Sequence, residues 1–166
     1  MPLPKPVMAR LMAKVRVDDT GCWIFTGAPT PNGYGKIRDN GTTRGAHRVA
    51  YENLVGPIPD GFVVDHRCHE QMCVNPEHLR AVTTKQNGEN RTGAMANNKS
   101  SGVRGVSFAK HNKTHPWQGT VRHEGRNRHV GYFATIAEAD VAVRAKRAEL
   151  FTHDDHDQWV ANNQGA

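Results

Sequence analysis

The spacing of apolar positions changes several times along the 166 residues, and each change predicts an element. Residues 7–15 can form a short helix that packs on the first core. Residues 33–38 followed by Asp39, Asn40 and Gly41 read as a hairpin with Asn-Gly at its turn. Residues 45–55 carry apolar side chains at helical spacing. Phe62, Val63 and Val64 form a strand-like run after the Gly- and Pro-rich turn of 56–61. Pro76 suits a first helical position, and Thr83 or Thr84 can cap a short helix through Lys85, Gln86 and Asn87. Periodicity then vanishes in the small, polar stretch 88–102. Beyond it, 102–108, 117–122 and 128–133 alternate like three antiparallel strands. Thr135-x-x-Glu138 is a capping box that opens an amphipathic helix over 136–150. The pattern predicts an α+β chain with a first domain at 1–91, a linker at 92–101, a three-stranded sheet plus helix at 102–152, and a frayed acidic tail at 153–166. Trp159 is the one residue of that tail able to dock.

Chemistry concentrates between residues 65 and 87. Cys68-x4-Cys73-x4-His78 supplies three thiolate or imidazole donors of the kind zinc takes in a closed tetrahedral site. Cys22 is the only other cysteine and completes a Cys3His set. An odd number of cysteines cannot all pair, and a reducing compartment favours metal-bound thiolates. A short Cys68–Cys73 disulfide, or simple burial, is the competing reading, and His69 is a weaker ligand candidate beside Cys68. Interleaved with these donors stand Asp65, His66 and Asn87. A carboxylate and an amide oxygen suit a hard cation such as Mg2+ or Mn2+. A neutral imidazole can take a proton from an attacking water near pH 7. Adjacent strand residues face opposite ways, so a bend is expected where Asp65 and His66 enter one site.

The residues 21–27, 33–37 and 46–52, then Val64-Asp65-His66-x-Cys68 and Cys73-Val74-Asn75-Pro76-x-His78-Leu79, resemble the HNH endonucleases of the His-metal finger (ββα-metal) superfamily. The likeness covers about residues 20–91. It is nearest the phage and intron homing type, with features of the His-Cys box enzymes. It implies a zinc-stapled ββα-metal nuclease core with His66 as general base and Asp65 and Asn87 as ligands of the catalytic metal. It also implies Asn75 as the residue that pins the loop. The third motif position is Asn87 rather than histidine, as is common in homing members. Lys36, Arg38 and Arg48 are candidates for holding the scissile phosphate, against solvated surface charge as the plain alternative.

From residue 99 to 134 there are seven Lys or Arg and one acid, Glu124. Arg104, Arg122, Arg126 and Arg128 beside Trp117 suit a sheet laid in a DNA groove, where arginine can bond guanine and other cations hold phosphates. Gly-Val-Arg-Gly-Val, Trp-x-Gly-x-Val and Gly-Tyr-Phe-Ala-Thr-x-x-Glu-Ala resemble the ethylene-response-factor (APETALA-type) DNA-binding domain, in the form appended to phage HNH nucleases.

Composition sets the bounds. A hydrophobic share of 37% gives neither half a large core, which makes a metal staple reasonable. A net charge of +6 and a pI near 9.5 favour a polyanion partner without specifying DNA. No apolar run is long enough to span a membrane and no signal peptide is evident, so cytoplasm of a bacterial or phage-infected cell is expected. The leading expectation is a site-preferring endonuclease on double-stranded DNA, nicking as a monomer or breaking both strands as a homodimer. The alternatives are a non-catalytic zinc-containing DNA-binding protein and a non-specific nuclease.

Overall fold

The computed structural model describes residues 6–91, 93, 94 and 98–155. The chain divides into two compact units, Met1–Asn87 and Gly88–Ala166. Among the described residues, the first combines short helices with three two-stranded antiparallel sheets, and the second a helix with one three-stranded antiparallel sheet.

The first unit opens with α1 (Pro6–Met12), which buries Val7, Met8 and Leu11. Strands β1 (Val15–Val17) and β2 (Trp23–Phe25) pair antiparallel. A second hairpin joins β3 (Lys36–Asp39) to β4 (Thr42–Gly45). Its turn is Asn40-Gly41, both at positive φ (47° and 82°), the geometry that matches a two-residue loop to strand twist. Helix α2 (Ala46–Leu54) follows directly and buries Ala46, His47, Val49 and Ala50. Strands β5 (Phe62–His66) and β6 (Leu79–Thr83) pair antiparallel, and α3 (Thr84–Glu89) continues from β6. Thr83 caps α3 reciprocally: its hydroxyl accepts from the Gln86 amide at 3.3 Å, and Gln86 Oε1 accepts from the Thr83 amide at 2.9 Å. The core gathers α1, α2 and the strands around Phe25, Leu11 and Val49.

The second unit is one sheet in the order β7-β8-β9 with α4 against it. The strands are β7 (Val106–Phe108), β8 (Trp117–His123) and β9 (Arg126–Phe133). Helix α4 (Ile136–Leu150) starts at Thr135, whose hydroxyl accepts from the Glu138 amide at 3.2 Å. Val106, Val121, Ala139 and Val143 form its buried centre.

Two expectations change. The strand expected at 102–108 starts only at Val106, because Gly105 sits at φ +81 and its carbonyl accepts from the Thr120 amide at 2.8 Å. A Cβ at Gly105 would lie 2.7 Å from the Thr120 oxygen, so this turn requires glycine. The polar stretch read as linker is structured at its far end. Asn98 Nδ2 donates to the carbonyls of Val103 (2.8 Å) and Val106 (2.7 Å). Residues 92 and 95–97 of that stretch lie outside the described residues, as does the tail from 156 onward with Trp159.

Candidate active site

The candidate metal-ligating cluster is assembled from two segments distant in sequence. Asp18 Oδ1 accepts from the amides of Thr20 (2.9 Å) and Cys22 (3.0 Å) and from the Thr20 hydroxyl (2.6 Å). This Asx-type turn shapes the loop that presents Cys22. The hydroxyl bond is the main cause holding the Asp18 carboxyl below its usual range. The loop docks on the segment after β5: the Val74 amide donates to the Trp23 carbonyl and the Phe25 amide to the Met72 carbonyl, each at 2.8 Å. Cys22, Cys68, Cys73 and His78 then hold their ligand atoms within 4.8 Å of one another. His78 Nδ1 lies 3.4 Å from Cys22 Sγ and 3.6 Å from Cys73 Sγ, and the Asn75 amide donates to Cys73 Sγ at 3.4 Å.

All three cysteines are free thiols, so the short disulfide is not formed, and His69 stands outside the cluster. The hydrogen bond from Cys68 pulls the Cys73 thiol down to about 5, while the same contact pushes Cys68 up and burial raises Cys22. One thiolate is thus favoured among three sulfurs. A dication would displace the remaining protons, and the Cys3His donor set could bind zinc.

Asn75 ties this loop down. Its Nδ2 donates to the Gly21 carbonyl at 2.8 Å, and its Oδ1 accepts from the Glu77 amide at 3.0 Å, capping the 3-10 turn Pro76–His78.

His66 ends β5 and is 5% exposed. Its Nε2 lies 2.9 Å from the Cys73 carbonyl. A carbonyl only accepts, so Nε2 carries the hydrogen and Nδ1 is the basic nitrogen. The ring centroid lies 5.0 Å from that of His47 and 5.8 Å from that of Tyr34. Burial, partly offset by the Cys73 carbonyl, lowers the His66 pKa, so the ring is neutral near pH 7. His47 is pushed down to about 3, first by burial and then by His66 and Arg48.

Asp65 does not share this face. No bend interrupts β5, and the ladder is regular through Asp65↔Arg80 and His66↔Leu79. Asp65 therefore faces Arg80, whose Nε and Nη2 donate to its Oδ2 at 3.1 and 2.9 Å. Asn87 lies one turn into α3 and is exposed. Lys36 and Arg38 are exposed on β3, alternating with buried Ile37, and Arg48 is exposed on α2. Sequence reading missed Asp18, Arg80, Tyr34 and His47. The first two depend on turn geometry and strand register, the last two on rings meeting across the fold.

In the second unit, strand parity sorts the basic residues. Val121 and Gly119 are buried on the helix side, so their partners Arg128 and Gly131 share that side, as do the pairs Trp117↔Phe133 and His123↔Arg126. The open face carries Gln118, Thr120, Arg122, Asn127, His129 and Tyr132. Arg122 stays a candidate on that face. Arg126 and Arg128 are exposed but belong to the helix-side rows. Trp117 packs on the second core and meets Phe108 edge-on at 5.3 Å, so it is no stacking platform on the open face. Arg104 is not on a strand. Its guanidinium donates to the carbonyls of Gly88 and Glu89 at 3.0 Å each and to that of Arg91, and lies 5.6 Å from the Phe151 ring centroid.

A strand pair bearing Asp65 and His66 runs straight into a helix bearing Asn87, a ββα arrangement consistent with the HNH resemblance. Residues 44–89 match the family model described as HNH endonuclease. Protein 7.7 of Escherichia phage T7 is 41% identical over 68 residues, 41% of this chain and 52% of that protein. Protein 2.8 of the same phage is 34% identical over 80 residues, 47% of this chain and 54% of that protein. Protein 3.8, also of phage T7, is 32% identical over 80 residues, covering 48% and 63%. The chain thus spans about half the length of the first two relatives. No solved structure matches it. Among the described residues no helix is long and apolar enough to cross a membrane.

Cys22→Ser should lower bound zinc per chain and loosen the first unit; unchanged stoichiometry by atomic absorption would remove Cys22 from the ligand set. His47 adds a pH dependence. Its folded pKa of about 3 lies below the ordinary 6.5, so the unfolded chain takes up the proton first as pH falls. Its share of stability is present above pH 6.5 and is lost on going down toward about 3, at about 1.4 kcal/mol per pH unit. The stability of wild type relative to His47→Gln, read by urea unfolding, should therefore fall as pH drops from 6.5 toward about 3; parallel pH profiles would contradict this.

Proposed function

We propose that the chain is a site-preferring DNA endonuclease, of homing type, that hydrolyses a phosphodiester with His66 as general base. The observation that carries this is the buried His66 ring, neutral near pH 7, with its Nε2 hydrogen donated to the Cys73 carbonyl. That bond selects the tautomer a base needs and holds the ring in place. Nδ1 would accept the proton of the attacking water as oxygen joins phosphorus and the bond to the leaving oxygen breaks. Asp65 and Asn87 offer the carboxylate and amide oxygens that suit Mg2+ or Mn2+. When bound there, the ion supplies charge stabilisation at the leaving oxygen. The Cys22, Cys68, Cys73 and His78 set would hold structural zinc, and Asn75 keeps that loop against Gly21. Lys36, Arg38 and Arg48 would hold the scissile phosphate, a reading that their exposure supports.

The second unit would add affinity and choose the site. Its three antiparallel strands followed by one helix have the order that the ethylene-response-factor resemblance implies. DNA would lie on the open face, with Arg122 as the base-reading candidate, while Arg104 serves the fold. A monomer with one such centre would nick, and breaking both strands would take two copies.

On supercoiled plasmid, Mg2+ should convert the substrate to open circle, and His66→Ala should abolish conversion while leaving DNA affinity within a few fold. A fully active His66→Ala would end the mechanism. Arg122→Ala should weaken binding by about 1–3 kcal/mol and relax site preference. Equal binding of wild type and variant, read by fluorescence anisotropy, would argue against the open face.

A further inference from the structure

Arg80 is the strongest feature of the first unit that the proposed mechanism leaves unused. It stands opposite Asp65 in the β5–β6 register, and its guanidinium grips Asp65 Oδ2 through Nε at 3.1 Å and Nη2 at 2.9 Å. Both side chains are largely covered, at 19% and 10% exposure, so water screens the pair poorly. The contrast is Arg44, which bonds Asp39 and Glu52 with 31% of its side chain exposed and touches no candidate ligand. Resting on the reading of Asp65 as a metal ligand, we infer that Arg80 is a resident counter-cation that occupies Asp65 and disfavours divalent metal until a DNA phosphate is present.

A guanidinium on a carboxylate opposes a dication in two ways. It occupies lone pairs on Oδ2, and it places a positive charge beside the incoming ion. A phosphodiester reverses both effects. Its oxygens match the planar fork of arginine at least as well as a carboxylate does. Its negative charge also offsets repulsion between the arginine and the metal. Arg80 would then exchange Asp65 for a phosphate oxygen, and Asp65 would turn to the metal. The centre would load on DNA rather than in free solution. Arg80 is in this sense a positioning residue for Asp65. Its exchange would couple metal affinity to DNA affinity, and the coupling must act equally in both directions.

The test is DNA-free Mn2+ binding to the zinc-loaded full chain, read by electron paramagnetic resonance. Wild type, Arg80→Gln, Arg80→Lys, Asp65→Asn and the double variant Asp65→Asn with Arg80→Gln are compared. Arg80→Gln should tighten Mn2+ on the order of tenfold, and Arg80→Lys, which keeps the charge, should stay near wild type. A hairpin staple with no bearing on metal would leave Mn2+ binding unchanged or weaker in a folded Arg80→Gln, and that result overturns the inference. The double variant separates the two levels. If it loses Mn2+ while Arg80→Gln alone changes nothing, only the role of Arg80 falls. If Asp65→Asn alters Mn2+ binding in neither background, Asp65 is not a ligand and the underlying reading falls as well. Should Arg80→Gln fail to fold, wild type still decides. The Arg80 Nε–H resonance should shift when Ca2+ and a duplex are added together and stay put with Ca2+ alone; no shift with both overturns the inference.

Discussion

The buried hydrogen bond between His66 Nε2 and the Cys73 carbonyl is the joint on which the first unit depends. Cys73 also contributes a sulfur to the cluster, bridges Ile24 in β2, and precedes Val74, which bonds Trp23. One residue therefore ties together the N-terminal hairpin, the metal-ligating loop and the candidate base. A core of this size holds little apolar area, so each buried polar group must be satisfied from a short list of partners. A chain that fixed the cluster differently would move the Cys73 carbonyl and with it the aim of His66. The cluster and the candidate base are joined through Cys73, whose sulfur belongs to one and whose carbonyl holds the other.

The two-stranded β5–β6 ribbon imposes a second constraint. Its regular ladder sends Asp65 and His66 to opposite faces. His66 meets rings and a carbonyl in a dry setting that keeps it neutral, whereas Asp65 meets a cation. The two neighbours therefore sit in opposite surroundings, one dry and one charged. A bend at this point would have put the two groups in one environment.

What was legible in the sequence was whatever depends on neighbours along the chain. Asn40-Gly41 announces its hairpin because only residues tolerant of positive φ make that turn. Thr135-x-x-Glu138 announces α4 because both halves of the cap lie within one turn. Cys68, Cys73 and His78 announce a metal cluster because few other uses need those donors together. Cys22 was reachable by elimination, though not the Asp18 turn that presents it. Register was out of reach. The shift between Gly119 and Thr120 offsets β9 against β8, and no local signal sets which arginines then share the open face. Arg104 looked like its neighbours in a basic segment until the turn at Gly105 sent it to the carbonyls of Gly88, Glu89 and Arg91.

That last case bears on how the net charge of +6 should be read. A count of Lys and Arg treats every cation as available to a polyanion. Here Arg104 satisfies backbone carbonyls, Arg147 is 4% exposed and bonds Asp154, and Arg44 joins Asp39 to Glu52. These guanidiniums work as multi-toothed donors inside small units that have too little apolar area to hold by packing alone. The exposed cations, among them Lys36, Arg38, Arg48 and Arg122, are the ones left free to meet a polyanion. Composition thus overstates the charge that reaches solvent, because a guanidinium held by carbonyls or carboxylates contributes little to the long-range field.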